Sequence, residues 1–116
     1  MKTTFKLLVA AGLLLSATAY ADNAGLSLAQ KNACLSCHSV DKKIVGPGYN
    51  DVANKYRDQA YLKKMGYKDA SAVEAYLVDK VKKGGAGVWG SIPMPPNPQV
   101  KDEDLRTIVK WVLSLK

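Results

Sequence analysis

Two thiols three residues apart with an imidazole directly after them, Cys34-Leu35-Ser36-Cys37-His38, constrain this chain more than any other feature of its sequence. That spacing is what covalent attachment of haem c requires: each thiol adds to one vinyl group of the porphyrin, and the imidazole reaches the iron from one side. A chain that takes up such a group must build its core around a large flat macrocycle as well as around its own side chains. On a helix, Cys34 and Cys37 lie on one face nearly a turn apart. A first helix is therefore expected over Leu26 to Ser39, with the motif at its C-terminal end.

Other chemistry of the same residue types fits less well. A thioredoxin-like Cys-x-x-Cys belongs near a strand and helix of a βαβ unit, and no strand pattern is visible here. A structural zinc site needs four protein ligands, whereas the chain holds two Cys and one His. A disulfide across so small a loop adds little stability and leaves the adjacent His without a role.

The N-terminus agrees with haem attachment outside the cytoplasm. Lys2 and Lys6 precede an apolar run from Leu7 to Leu15, and Ala19-Tyr20-Ala21 has the small-x-small form of a signal peptidase site. Residues 1–21 are expected to be a cleaved signal peptide and residues 22–116 the mature domain, located in the periplasm. The apolar run is short for a membrane span, so stable membrane insertion is not expected, though a retained leader serving as an anchor is the alternative. The 95 residues that remain suffice for one domain with a modest core. Two of the seventeen basic residues leave with the leader, so the formal net charge falls from +7 to +5.

Helical patterning recurs along the mature chain. Asn50 to Arg57 can form a short helix with Val52 and Tyr56 four apart. Ser71-Ala72-Val73-Glu74 has the form of a capping box, and Val73, Leu77 and Val81 follow at four-residue spacing until Gly84-Gly85 ends the run. A last helix is expected from about Asp102, where three acidic residues suit the positive end of the helix dipole, to Leu115. The expected fold is all-α, about four helices around one covalently bound haem.

Between the last two helices lies a segment that cannot be regular structure. Gly87 to Pro98 carries four of the five prolines. Pro93 and Pro95 restrict the backbone on both sides of Met94, and a stiff loop presents a side chain accurately. A thioether is a soft, neutral ligand, and with His38 it would complete a six-coordinate iron in which the ferrous state is favoured. Met94 can alternatively pack as an ordinary core residue. Met65, in Lys63-Lys64-Met65-Gly66-Tyr67, is the competing ligand, with flanking charges that suit an exposed position.

These residues resemble class I bacterial cytochromes c of the c-551 type. The resemblance runs through Cys34-x-x-Cys37-His38, Ile44-Val45-Gly46-Pro47-Gly48-Tyr49, Gly87 to Asn97 and Lys110-Trp111-Val112-Leu113-Ser114. It implies an all-α fold wrapped around one haem whose edge is exposed for electron exchange, with haem c held by Cys34 and Cys37 and iron ligated by His38 and Met94. By the same resemblance, Pro47 would offer its carbonyl to the other nitrogen of His38. Trp89 would donate its indole N–H to a propionate, Asn97 would hydrogen-bond near the Met94 sulfur, and Lys80 would meet a propionate. Asp58 to Lys68 looks like an insertion, and Lys101 stands where a capping Ser or Asp is the better helix start.

The implied function is that of a soluble one-electron carrier, not an enzyme, acting as a monomer between transient redox partners. By resemblance, the donor would be a quinol-oxidising complex and the acceptor a terminal oxidase, nitrite reductase or peroxidase. Lys42-Lys43, Lys63-Lys64 and Lys82-Lys83 would steer it to acidic docking surfaces if they surround the haem edge. The alternative class, a haem enzyme or ligand sensor such as a small peroxidase, needs an open iron position, and the single His is already assigned. Nucleic acid is not an expected partner, since the chain is exported and has no recognition motif.

Overall fold

The computed structural model describes residues 16–116. Most of the expected signal peptide lies outside the described residues. Five α-helices are arranged in the order α1 (Ser16–Lys31), α2 (Tyr49–Lys55), α3 (Gln59–Met65), α4 (Ala70–Lys83) and α5 (Asp102–Ser114), with a 3-10 turn at Cys34–Ser36 between α1 and α2. Among the described residues there are no strands, only two isolated bridges, His38 with Lys43 and Gly85 with Met94. The all-α expectation holds, with one helix more than the four that periodicity suggested.

Helix α5 is the hub, packing against α1, α2 and α4. Its pattern explains why: Leu105, Ile108, Val109, Trp111 and Val112 are all buried and recur at helical spacing. Three acidic residues occupy its first turn, and Lys101 ahead of them makes no side-chain cap. The α1–α5 crossing is close because position 25 is glycine. A Cβ there would overlap Trp111 Cβ, so any other residue would push the helices apart. Ala29, one turn on, is fully buried.

The first helix does not extend to Ser39 as expected. It stops at Lys31, Asn32 Nδ2 donates to the Leu28 carbonyl at 2.9 Å, and Ala33 enters the left-handed region at φ 60°. A non-glycine residue there costs about 1–2 kcal/mol, so the turn must be held by contacts from further along the chain. Beyond that turn the chain is tied to the next loop instead: Gly46 N–H donates to the Cys37 carbonyl, Tyr49 N–H to that of Ser39 and Asn50 N–H to that of Val40. Tertiary hydrogen bonding overrides the helical pattern here.

One further expectation is corrected, and the segment read as an insertion proves to hold a helix. Helix α4 begins one residue before Ser71 and is capped by Asp69, whose carboxylate accepts from Ala72 N–H at 2.9 Å. Ser71 therefore sits inside the first turn, where its hydroxyl is not the cap. The segment from Asp58 to Lys68 is a capped helix of its own: the Asp58 carboxylate accepts from Ala60 and Tyr61 N–H, and Gly66 closes the end at φ 79°. Its Tyr61, together with Tyr67, packs edge-on against Tyr56 of the α2 terminus. Helix α4 ends at Gly84 as expected.

Candidate functional site

Cys34, Cys37, His38 and Met94, which the sequence singles out, all line one cavity of about 360 Å³. That volume lies in the range of small-molecule and cofactor sites. Three parts of the chain build it. The 3-10 turn and the loop after it supply the thiols, His38, Gly46, Pro47 and Tyr49; α4 and α5 supply an apolar wall of Leu77, Val81, Leu105, Ile108 and Val112; the proline-rich loop supplies Trp89, Ile92 and Met94.

The 3-10 turn brings the motif to the cavity without an α-helix. Cys37 N–H and His38 N–H both donate to the Cys34 carbonyl, at 3.2 and 3.0 Å, so one tight turn holds the two sulfurs near each other. Both thiols are free and half-buried. Burial pushes the Cys34 thiol above its ordinary value, and the Tyr49 hydroxyl beside it acts in the opposite direction.

His38 is held by its other ring nitrogen. Nδ1 lies 2.8 Å from the Pro47 carbonyl oxygen. A carbonyl only accepts, so Nδ1 carries the proton and donates, which leaves the lone pair on Nε2. The Tyr49 ring stacks on the imidazole with centroids 4.9 Å apart and planes 17° from parallel. The backbone of Gly46 approaches the same ring so closely that a Cβ would stand 2.8 Å from Nδ1 and 3.0 Å from Nε2.

Met94 is fixed through its backbone. Its N–H and carbonyl exchange hydrogen bonds with Gly85 at 2.9 and 3.0 Å, and the stem of the loop is so tight that a Cβ on Gly84 would overlap the Met94 carbonyl. Met65 stands apart on α3, 51 % exposed and not among the cavity-lining residues. Of these two methionines, Met94 alone lines the cavity with His38.

The residues expected around the edge divide. Pro47 and Lys80 line the cavity. Trp89 lines it too and is partly exposed, with Lys55 Nζ 4.9 Å from its ring centroid and 4.5 Å from that of Tyr61. Asn97 departs from expectation. It is not among the lining residues, and its side-chain amide donates to the Val81 and Pro95 carbonyls at 3.3 and 3.0 Å. The first of these bonds ties the loop to α4 and the second braces the loop on itself.

The lysine pairs also divide. Lys82 is paired with Asp102 across α4 and α5, and Lys83 with Asp79 along α4. Lys42 and Lys43 are exposed beside Ile44 and Val45, both about half exposed, and of these four Lys43 and Val45 line the cavity. Lys63 and Lys64 are exposed on α3.

Sequence reasoning missed Tyr49 and Gly46 as parts of the site. The signal was present in Gly46-Pro47-Gly48-Tyr49, where small residues on both sides of a proline allow the backbone to come close to a ring. Among the described residues, no cluster of three His, Cys, Asp or Glu side chains could hold a metal ion by itself. Haem fits the donors that are present: paired thiols, an imidazole with Nε2 free, a thioether and an apolar enclosure.

Comparison with known proteins bears on the same residues. A model of the cytochrome c family matches residues 23–116. The chain is 46% identical over 107 residues to cytochrome c-552 of Nitrosomonas europaea, covering 92% of this chain and 90% of that protein. It is 43% identical over 109 residues to cytochrome c-551 of Pseudomonas aeruginosa, covering 94% and 92%. The crystal structure of wild-type Nitrosomonas europaea cytochrome c552 superimposes with a TM-score of 0.65 at 45% identity, over 78% of this chain and 99% of that one.

Proposed function

Because the chain belongs to the cytochrome c family, electron carriers with covalently bound haem c, we propose that it is a periplasmic monohaem carrier in which His38 and Met94 would both ligate the iron. The observation that carries this reading is the convergence of both thiols, His38 and Met94 on one apolar cavity, with Met65 outside it. Haem bonded to Cys34 and Cys37 supplies an iron that takes up and returns one electron. The protein's part is to keep the surroundings unchanged while it does so.

His38 does this by offering Nε2 while Pro47 holds the Nδ1 proton, which fixes tautomer and direction together. Met94 offers a neutral sulfur from a loop that proline and the Gly85 bridge stiffen, so little movement accompanies the change of charge. The α4 and α5 side chains exclude water from the interior face. A closed iron is what separates a carrier from an enzyme or sensor, and no second His exists to serve as a distal acid or base.

The periplasmic location rests on the leader, residues 1–21, and is supported by a family match that begins just beyond Ala21. Among the described residues, no helix is long and apolar enough to cross a membrane. Partners are proposed to be transient redox proteins with acidic docking surfaces, met by Lys42 and Lys43 around the exposed Ile44, Val45 and Ile92. Raising ionic strength should slow electron transfer to such a partner, and a flat response would remove the lysines from docking.

An optical series on the exported protein tests the central reading. A sharp low-spin haem c spectrum on reduction, a weak far-red sulfur-to-iron band when oxidised, and no shift under carbon monoxide are expected. A high-spin spectrum that shifts with carbon monoxide would mean an open position and would overturn it.

A further inference from the structure

We propose that Tyr49 is a positioning residue for His38: its ring sets the rotational angle of the imidazole, and through it the angle of the iron ligand. The inference rests on the reading of His38 as an axial ligand and goes beyond it. The hydrogen bond from Nδ1 to Pro47 fixes one point of the imidazole, but a single in-plane bond leaves the ring free to tilt about it. The tilt is stopped elsewhere. Tyr49 lies nearly parallel to the imidazole at 4.9 Å, and the Gly46 backbone crowds the same ring at Nδ1 and Nε2.

A clamp holds only if it is itself held, and Tyr49 is. Its N–H donates to the Ser39 carbonyl at 2.8 Å, which anchors the backbone at the start of α2. The Trp111 ring meets it edge-on at 5.5 Å and 83°. Trp111 in turn sits at the α1–α5 crossing, against the position where Gly25 leaves no room for a side chain. Tyr49 is 7 % exposed, so the ring cannot swing out into solvent. A line of packed groups therefore runs from the helix crossing through Trp111 and Tyr49 to the imidazole. The ring is what matters for this role, since the stack uses its face.

The orientations of both ligands on ferric iron decide how unpaired spin is distributed around the macrocycle, so with Met94 unaltered the proton NMR spectrum of the oxidised holoprotein reports a change in the imidazole angle. Tyr49→Phe keeps the ring and is expected to retain the parent's pattern of haem methyl shifts. Tyr49→Leu is expected to redistribute that pattern and move the midpoint potential while the optical spectrum still shows His/Met ligation. Should Tyr49→Leu fail to retain haem, Tyr49→Met, which keeps bulk and loses the ring plane, is read in the same way. A ringless variant with the parent's methyl pattern and potential would overturn the role of Tyr49 and leave His38 ligation standing. A parent spectrum in which the His38 ring protons show no paramagnetic shift would overturn both.

Discussion

Gly85 and Met94 face each other across a closed pair of backbone hydrogen bonds, so the proposed sulfur ligand is carried by one side of a two-residue bridge whose other side is the end of α4. Gly84, the residue before it, adopts φ 69° and ψ −159°. That conformation is open to glycine and closed to other residues, and a Cβ would also overlap the Met94 carbonyl. Gly84→Ala is therefore expected to cost more than about 1 kcal/mol in chemical denaturation. It should also let carbon monoxide reach the reduced iron, because the bridge that holds Met94 is strained apart. A variant as stable and as closed as the parent would show that the bridge does not hold the ligand.

Met94 and Met65 are distinguished by place, and the two substitutions should differ accordingly. Met94→Ala is expected to lower the midpoint potential and abolish the far-red sulfur band. Met65→Ala, at a half-exposed position on α3, should leave both unchanged and shift stability by no more than about 0.5 kcal/mol. Potentiometry on the two variants decides the assignment.

The cap of α4 makes a separate test of the local structure. Asp69→Ala removes the acceptor of Ala72 N–H and should cost about 1 kcal/mol. Ser71→Ala, which the capping-box pattern alone would rank as the damaging change, should fall within about 0.5 kcal/mol of the parent. Denaturation midpoints of the two, compared in one experiment, tell which residue caps the helix.

Acid should weaken the ion pair that links α4 to α5. Lys82 beside Asp102 holds that carboxyl below its ordinary value of 3.8. A group whose value is lowered by folding contributes stability above its unfolded value, and that contribution is lost as pH falls through the lower, folded one. The difference in Tm between the parent and Lys82→Ala should thus be present at neutral pH and close below the ordinary carboxylate range. Both groups are exposed, so the difference is small and shrinks with added salt.

Much of this was legible from the chain. The stripe of Leu105, Ile108, Val109 and Val112 announces α5, and Gly84-Gly85 announces where α4 stops, because both signals are local. The motif and the proline-flanked Met94 point to one cavity for the same reason: spacing and backbone restriction are read from neighbours in sequence. What escaped was decided between distant parts. Helix α1 ends at Lys31 because Ala33 turns into the left-handed region and the stretch after it is tied to the loop at Gly46 to Asn50, and no pattern within residues 26–39 contains that loop. Asn97 binds the Val81 carbonyl on α4, a partner that sequence adjacency does not reveal. Helix α3 was hidden by its brevity and by its exposed faces, although Asp58 and Gly66 mark both ends.

The groups in direct contact with the imidazole, Gly46, Pro47 and Tyr49, come from the same short stretch of chain as His38 itself, whereas Met94 is brought in from far along it. Contacts between near neighbours close small loops and survive partial unravelling; a contact between distant segments is surrendered as soon as the segments separate. The two faces of the cavity therefore differ in durability. On warming or in denaturant the molecule should come apart from the methionine side, passing through a form that has kept its histidine and lost its sulfur, with the proximal stretch as the last native remnant.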